Sequence, residues 1–134
     1  LSGTLPTQIG YLRKLTAALY LYTTPLSGTL PTQIGELTLL GTLRLDNTSL
    51  SGTLPTQIGN LRELIDALAL YHARLSGTVP SQLAKLNPKS CCLTSSQCSD
   101  DSSDTNRFAC PLSTQSGKCF MELNCIAPPR LPPA

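Results

Sequence analysis

Leucine positions recur along residues 1–86 in a fixed order. The clearest run reads Leu37-x-x-Leu40-x-x-Leu43-x-Leu45-x-x-Thr48-x-Leu50. Its neighbours read Leu19-x-Leu21-x-x-Thr24-x-Leu26 and Ile65-x-x-Leu68-x-Leu70-x-x-Ala73-x-Leu75. The Leu-x-Leu core alternates as a half-buried strand does, one face inward and one to solvent. Each run leads into Leu-Ser-Gly-Thr-Leu-Pro-Thr-Gln-Ile-Gly, unchanged at residues 1–10, 26–35 and 50–59, and altered to Leu-Ser-Gly-Thr-Val-Pro-Ser-Gln-Leu-Ala from Leu75. The copies start 25, 24 and 25 residues apart. A fixed period of this size predicts a solenoid, whose units bury their apolar faces only by stacking. The first and third units carry one residue more than the second, between Leu15 and Leu19 and between Leu61 and Leu68. An extra residue inside a strand would flip its faces, so it is expected in the turn or short helix before the strand.

The leucine order and the Leu-Ser-Gly-x-Leu/Val-Pro segment resemble the leucine-rich repeat family, in its plant-type extracellular form. The resemblance covers about residues 1–86. It implies an α/β repeat: a right-handed leucine-rich repeat solenoid of about four 24–25-residue units with a disulfide-bonded C-terminal cap. The family's Asn after the strand, which bonds neighbouring backbones in a ladder, is replaced here by Thr24, Thr48 and Ala73. Thr can supply part of that bonding and Ala none, so the ladder is expected to be weakest at the third repeat.

After Leu86 the composition changes. Residues 87–126 hold six cysteines, Cys91, Cys92, Cys98, Cys110, Cys119 and Cys125, and the repeats hold none. A segment of this size builds little core, so three disulfides are its natural staple, and they point to an oxidising compartment. The segment resembles the cysteine-bearing caps of extracellular leucine-rich repeat domains. Adjacent Cys91 and Cys92 are not expected to bond each other. Connectivity stays open among the alternatives; the shortest loops would join one of Cys91/Cys92 to Cys98, and Cys119 to Cys125. Residues 127–134, Ala-Pro-Pro-Arg-Leu-Pro-Pro-Ala, read as an extended polyproline-type tail or linker. No run is long and apolar enough to span a bilayer. With no signal peptide visible and Leu as its first residue, the chain is expected to be a processed product or a fragment.

Composition narrows the function. A net charge of +2, with Lys and Arg scattered, argues against nucleic acid or an acidic membrane surface as partner. The chain has one histidine, His72, just after the third strand, and no nucleophile, phosphate-loop or metal-protease motif, so no enzyme, cofactor or metal site is expected. Asn47-Thr48-Ser49 is an N-glycosylation sequon, which a surface Asn can also match by chance.

The outward positions of the strands form the default binding face. They line up as Ala18, Thr42, Ala67; Tyr20, Arg44, Ala69; Tyr22, Asp46, Tyr71; and Thr23, Asn47, His72. Tyr20, Tyr22, Arg44, Asp46, Tyr71 and His72 are the candidate binding residues, because tyrosine offers rigid area with a polar tip and arginine is enriched at interfaces. Tyr also suits exposed strands with no binding role. Three strands about 4.8 Å apart make a face only some 10–15 Å wide, fit for a peptide or a short glycan.

Two alternatives use the decamer. Ser2, Ser27, Ser51, Ser76 and Thr4, Thr29, Thr53, Thr78 are expected to stack in rows; such a hydroxyl-methyl lattice resembles ice-binding surfaces, although Thr in strands needs no functional reason. The first copy carries no cap, so its apolar cross-section is expected to be a docking end, and a head-to-tail contact there would make a filament of copies. The reading is a non-enzymatic, extracellular (secreted or cell-surface) interaction or scaffold module with protein partners, copies of itself among them. A ligand-binding fragment of a receptor ectodomain or a hydrolase inhibitor is the alternative on the same fold.

Overall fold

The computed structural model describes residues 3–86, 88–93 and 106–109. Each coil has two strand limbs and a short helical limb. The first set of strands is β1 (Gly3–Thr4), β3 (Leu26–Thr29), β5 (Ser49–Thr53), β7 (Arg74–Thr78) and β9 (Arg107–Ala109), paired in parallel in that order. The second is β2 (Ala18–Tyr20), β4 (Thr42–Arg44), β6 (Ala67–Ala69) and β8 (Ser90–Cys92), also parallel. Between them lie the 3-10 turns η1 (Thr7–Tyr11), η2 (Thr32–Glu36), η3 (Thr56–Asn60) and η4 (Ser81–Lys85). Thus the helical limb is 3-10 rather than α. Proline precedes each turn in extended conformation and sets its entry. Strands β8 and β9 carry both sheets past residue 86, where the repeat pattern ends.

The core is the expected leucine stack. Ile34, Leu37, Leu40, Leu43 and Leu45 of coil 2 and Ile58, Leu61, Leu68 and Leu70 of coil 3 are fully buried. The extra residue of the longer coils falls between the 3-10 turn and the strand, and β2, β4 and β6 stay in phase, Leu19 beside Leu43 and Leu43 beside Leu68. One inward assignment changes as a result. Leu64 points into the core at 1% exposure, and Ile65, expected inside, is 56% exposed.

Glycines record how closely the coils approach. A Cβ on Gly35 would lie 2.4 Å from the Gln57 carbonyl oxygen, and one on Gly59 2.6 Å from the Gln82 Cβ. The fourth copy has Ala84 at this place, and no further 3-10 turn follows it among the described residues. In the other sheet the pairing is offset. Thr4, Thr29 and Thr53 lie beside Ser27, Ser51 and Ser76 of the following coil, not beside its threonines. Each Thr methyl covers the next Gly: a Cβ there would meet it at 2.9 Å on Gly28, 2.9 Å on Gly52 and 2.6 Å on Gly77.

The ladder after the strand is complete at the third repeat, contrary to expectation. Thr24 Oγ1 donates to the Leu21 carbonyl at 2.7 Å and Thr48 Oγ1 to the Leu45 carbonyl at 2.9 Å. At Ala73 no hydroxyl is present, and Asn106 supplies the bond: its Nδ2 donates to the Leu70 carbonyl at 2.8 Å and to the Leu93 carbonyl at 2.9 Å. Its Oδ1 accepts from the Leu75 backbone N–H at 2.9 Å. Asn106→Ala strands buried backbone groups, so it is expected to lower unfolding free energy by about 2 kcal/mol in a denaturant titration. Ala73→Thr in that background restores one bond and is expected to recover part of the loss.

Neither Cys91 nor Cys92 is a free thiol. The pairings involving Cys98, Cys119 and Cys125 lie outside the described residues, as do Cys110, Ser2, most of the expected cap and the 127–134 tail.

Candidate functional site

The sheet of β2, β4, β6 and β8 carries the candidate binding residues. Its central positions are small: Ala18, Thr42, Ala67 and Ala69 form a low floor, Thr42 and Ala69 being buried. Beside them stand Tyr20, 60% exposed, and Tyr22, 43% exposed, with ring centroids 6.1 Å apart edge to face. A groove of about 610 Å³ runs along this boundary, lined by Tyr20, Tyr22, Thr42, Arg44, Asp66 and Ala67.

Asp46 departs from expectation. Alternation places it outward, yet it is 0% exposed. Arg44 covers it: Nε donates to Oδ1 at 3.0 Å and Nη2 to Oδ2 at 2.8 Å, the two-pronged geometry that suits a guanidinium and a carboxylate. Asn47 Nδ2 donates to Oδ2 at 3.2 Å. The guanidinium carbon lies 4.2 Å from the centroid of the Tyr22 ring, a cation–π contact, and Nη2 makes a long 3.5 Å contact with the Tyr71 hydroxyl. Asp46 thus lies buried beneath Arg44, with Tyr22 and Tyr71 against the same guanidinium. The bond to Asp46 raises the Arg44 pKa above its ordinary value.

Beyond β2, β4 and β6 the chain turns through a left-handed residue at Thr23, Asn47 and His72, with φ of 53°, 55° and 53°. Asn47 is exposed on the rim, and His72, half-buried, packs edge to face on Tyr71 at 5.3 Å. Burial, and then the Asp46 charge, push the Tyr71 phenol above its ordinary value of 10.0. A raised phenol stabilises the fold fully below that ordinary value, and the contribution is lost as pH rises through the folded-state pKa. Stability is thus expected to fall in alkaline solution above about pH 10, and less steeply in Tyr71→Phe, as read by thermal melts over a pH series.

The Ser and Thr positions do not form the expected rows. Across the strands run Thr4–Ser27–Ser49 and Thr29–Ser51–Arg74, so like residues run diagonally and Arg74 ends the second line. Thr4, Ser27, Thr29, Thr53, Ser76 and Thr78 are exposed and Ser51 is half-buried. The end face of coil 1 is more apolar. Ile9, Leu15, Leu19 and Leu21 are only partly buried and Leu12 is 47% exposed, while Ile34, Leu37, Leu40, Leu43 and Leu45 at the same places in coil 2 are at 0%. The signal for that face, unlike the signal for the buried Asp46, is visible in the repeat itself.

Among the described residues no helix is long and apolar enough to cross a membrane, and no group of three or more His, Cys, Asp or Glu is placed to hold a metal.

A family model described as Leucine Rich Repeat matches residues 39–61. Solved structures extend the likeness over most of the chain. The leucine-rich repeat ectodomain of the plant membrane receptor kinase GASSHO1/SCHENGEN3 from Arabidopsis thaliana, in complex with CASPARIAN STRIP INTEGRITY FACTOR 2, is similar at 31% identity and a TM-score of 0.73, over 89% of this chain and 13% of that one. The plant peptide hormone receptor RGFR1 in complex with RGF2 is similar at 33% identity and a TM-score of 0.69, over 81% of this chain and 16% of that one. A plant ice-binding protein is similar at 34% identity and a TM-score of 0.67, over 81% of this chain and 32% of that one. The chain thus spans a third or less of the length of these proteins. A search of curated proteins returns no match.

Proposed function

We propose that this chain, which belongs to the plant-type extracellular leucine-rich repeat family, is a non-enzymatic interaction module that holds an extended peptide segment of a partner protein in the groove beside Tyr20 and Tyr22. The carrying observation is the Arg44 guanidinium, clamped on buried Asp46 and stacked on Tyr22. Three large side chains are thereby held in one arrangement before any ligand arrives, which lowers the ordering cost of binding. The remaining nitrogen, Arg44 Nη1, makes no hydrogen bond to the described residues, and so keeps donors for a ligand carbonyl. Two of the similar structures are receptors in complex with RGF2 and with CASPARIAN STRIP INTEGRITY FACTOR 2, which supports a ligand-binding role and an extracellular or cell-surface place. In this reading residues 1–86 are the binding solenoid, residues 87–126 a disulfide-held cap and residues 127–134 a proline-rich tail or linker. A glycan on Asn47 would sit on the groove's rim; a mass loss on endoglycosidase treatment of the secreted protein checks it.

Panning a displayed random-peptide library on the wild-type protein and on Tyr22→Ala/Tyr71→Ala tests the reading. Selected peptides should bind the wild type and lose most of their affinity for the double variant. Peptides that bind both alike would rule this face out.

A second reading is end-to-end association, for which the near-identity of successive coils, each stacking on the next through the same surface, is the support. Light scattering over a concentration series tests it, and a mass that stays monomeric throughout would end it. The ice-binding reading has the plant ice-binding protein in its favour and the offset register, with Arg74 in one row, against it.

A further inference from the structure

We infer that the groove's occupant is this chain's own proline-rich segment, residues 127–134, folded back in cis as a tethered competitor of outside ligands; the inference rests on the peptide-groove reading above. The two surfaces are chemically complementary. Ala-Pro-Pro-Arg-Leu-Pro-Pro-Ala has four prolines in eight residues, so half of its backbone nitrogens carry no donor while every carbonyl accepts. The groove presents the opposite set: the phenols of Tyr20 and Tyr22 and the Nη1 edge of Arg44, above a floor of Ala18, Thr42 and Ala67. Aromatic-lined grooves over shallow floors are how folded domains hold polyproline helices, whose stiffness leaves little entropy to lose.

Charge and length agree. Arg130 is the segment's charged side chain. Asp46 is buried under Arg44, which leaves Asp66 as the exposed carboxylate of the groove lining. Its side chain is 54% exposed, and its contact with Lys89 runs through Oδ1 at 3.4 Å, so Oδ2 is open to a guanidinium. Six residues from Pro128 to Pro133 span about 16–19 Å as a polyproline helix, enough to cross the three strands that line the groove, about 10 Å. Between Ala109 and Ala127 lie enough residues to reach up to about 60 Å when extended, several times the groove's width.

The test uses a synthetic peptide of residues 127–134, titrated into isotope-labelled full chain and into a chain ending at residue 126. The shorter chain should bind the peptide about tenfold more tightly, because a tethered segment competes at an effective concentration on the order of 1 mM. Amide shifts should map to β2, β4 and β6, and Tyr22→Ala and the surface change Asp66→Asn should each weaken binding. A peptide with Pro128→Ala and Pro132→Ala should bind poorly. Equal affinity of the two chains, or indifference to Asp66→Asn and to the proline changes, would overturn the inference. So would a mass that rises with concentration and falls on truncation, which would place the tail on a neighbouring molecule. If the tail peptide binds neither chain while library-selected peptides still depend on Tyr22, the tail inference falls and the groove reading stands.

Discussion

Gly35→Ala should destabilise the protein by about 3 kcal/mol or more, the upper range for forcing atoms into a packed interior. The added methyl would sit 2.4 Å from the Gln57 carbonyl oxygen. That oxygen belongs to the backbone of the next coil's 3-10 turn, so relief requires two coils to part. Gly59→Ala should behave alike, because the Gln82 Cβ and carbonyl oxygen stand at 2.6 and 2.7 Å. Gly10→Ala should cost less, its nearest atom being the Gln33 side-chain Cβ at 3.1 Å. Ala84→Gly removes one methyl from a half-buried site and should cost about 1 kcal/mol or less. Denaturant midpoints for the four variants should fall in that order, with Gly35 and Gly59 lowest. A flat series would mean that the coils are not stacked as closely as described.

Arg44→Leu should cost about 3–5 kcal/mol, the penalty for leaving one member of a buried ion pair without the other. The leucine keeps some contact with Tyr22 but offers nothing to the Asp46 carboxylate, which is left with the Asn47 amide and the Tyr71 hydroxyl as side-chain donors in place of a cation. The reverse change is gentler. Asp46→Asn keeps an acceptor for Arg44, whose side chain is already 32% exposed and can turn to water. The asymmetry separates anchor from ligand contact. Arg44→Leu should lower both stability and peptide affinity. Asp46→Asn should leave a folded protein that binds peptides less well, because Arg44 and Tyr22 are no longer held in place.

Much of the fold is legible in the chain because stacking repeats the same demands at every turn. The Leu-x-Leu alternation names the strands, and the change from Gly to Ala at residue 84 coincides with the last 3-10 turn among the described residues. Ile65 lies outward because the longer loop shifts its phase; spacing alone does not decide whether Leu64 or Ile65 turns inward. Asp46 shows a different limit. Alternation predicts which face a side chain leaves from, whereas burial depends on what closes over it, here Arg44 two residues earlier and Tyr71 in the next coil. Asn106 could not be paired with Ala73 from sequence, since the two meet only when the segment beyond the repeats adds its strands to both sheets. The row prediction failed on register. Ser and Thr recur with the repeat, but the strands that carry them pair two residues out of step.

If the face of β2, β4 and β6 is the binding surface, a bound peptide should perturb that face and leave the opposite sheet unchanged. The most direct test is an amide chemical-shift map of the protein with a peptide selected against the wild type. Shifts should concentrate at Tyr20, Tyr22, Thr42, Arg44 and Ala67, and be absent from the Ser-Gly-Thr strands. Shifts confined to β3, β5 and β7, or to the exposed leucines of coil 1, would contradict it.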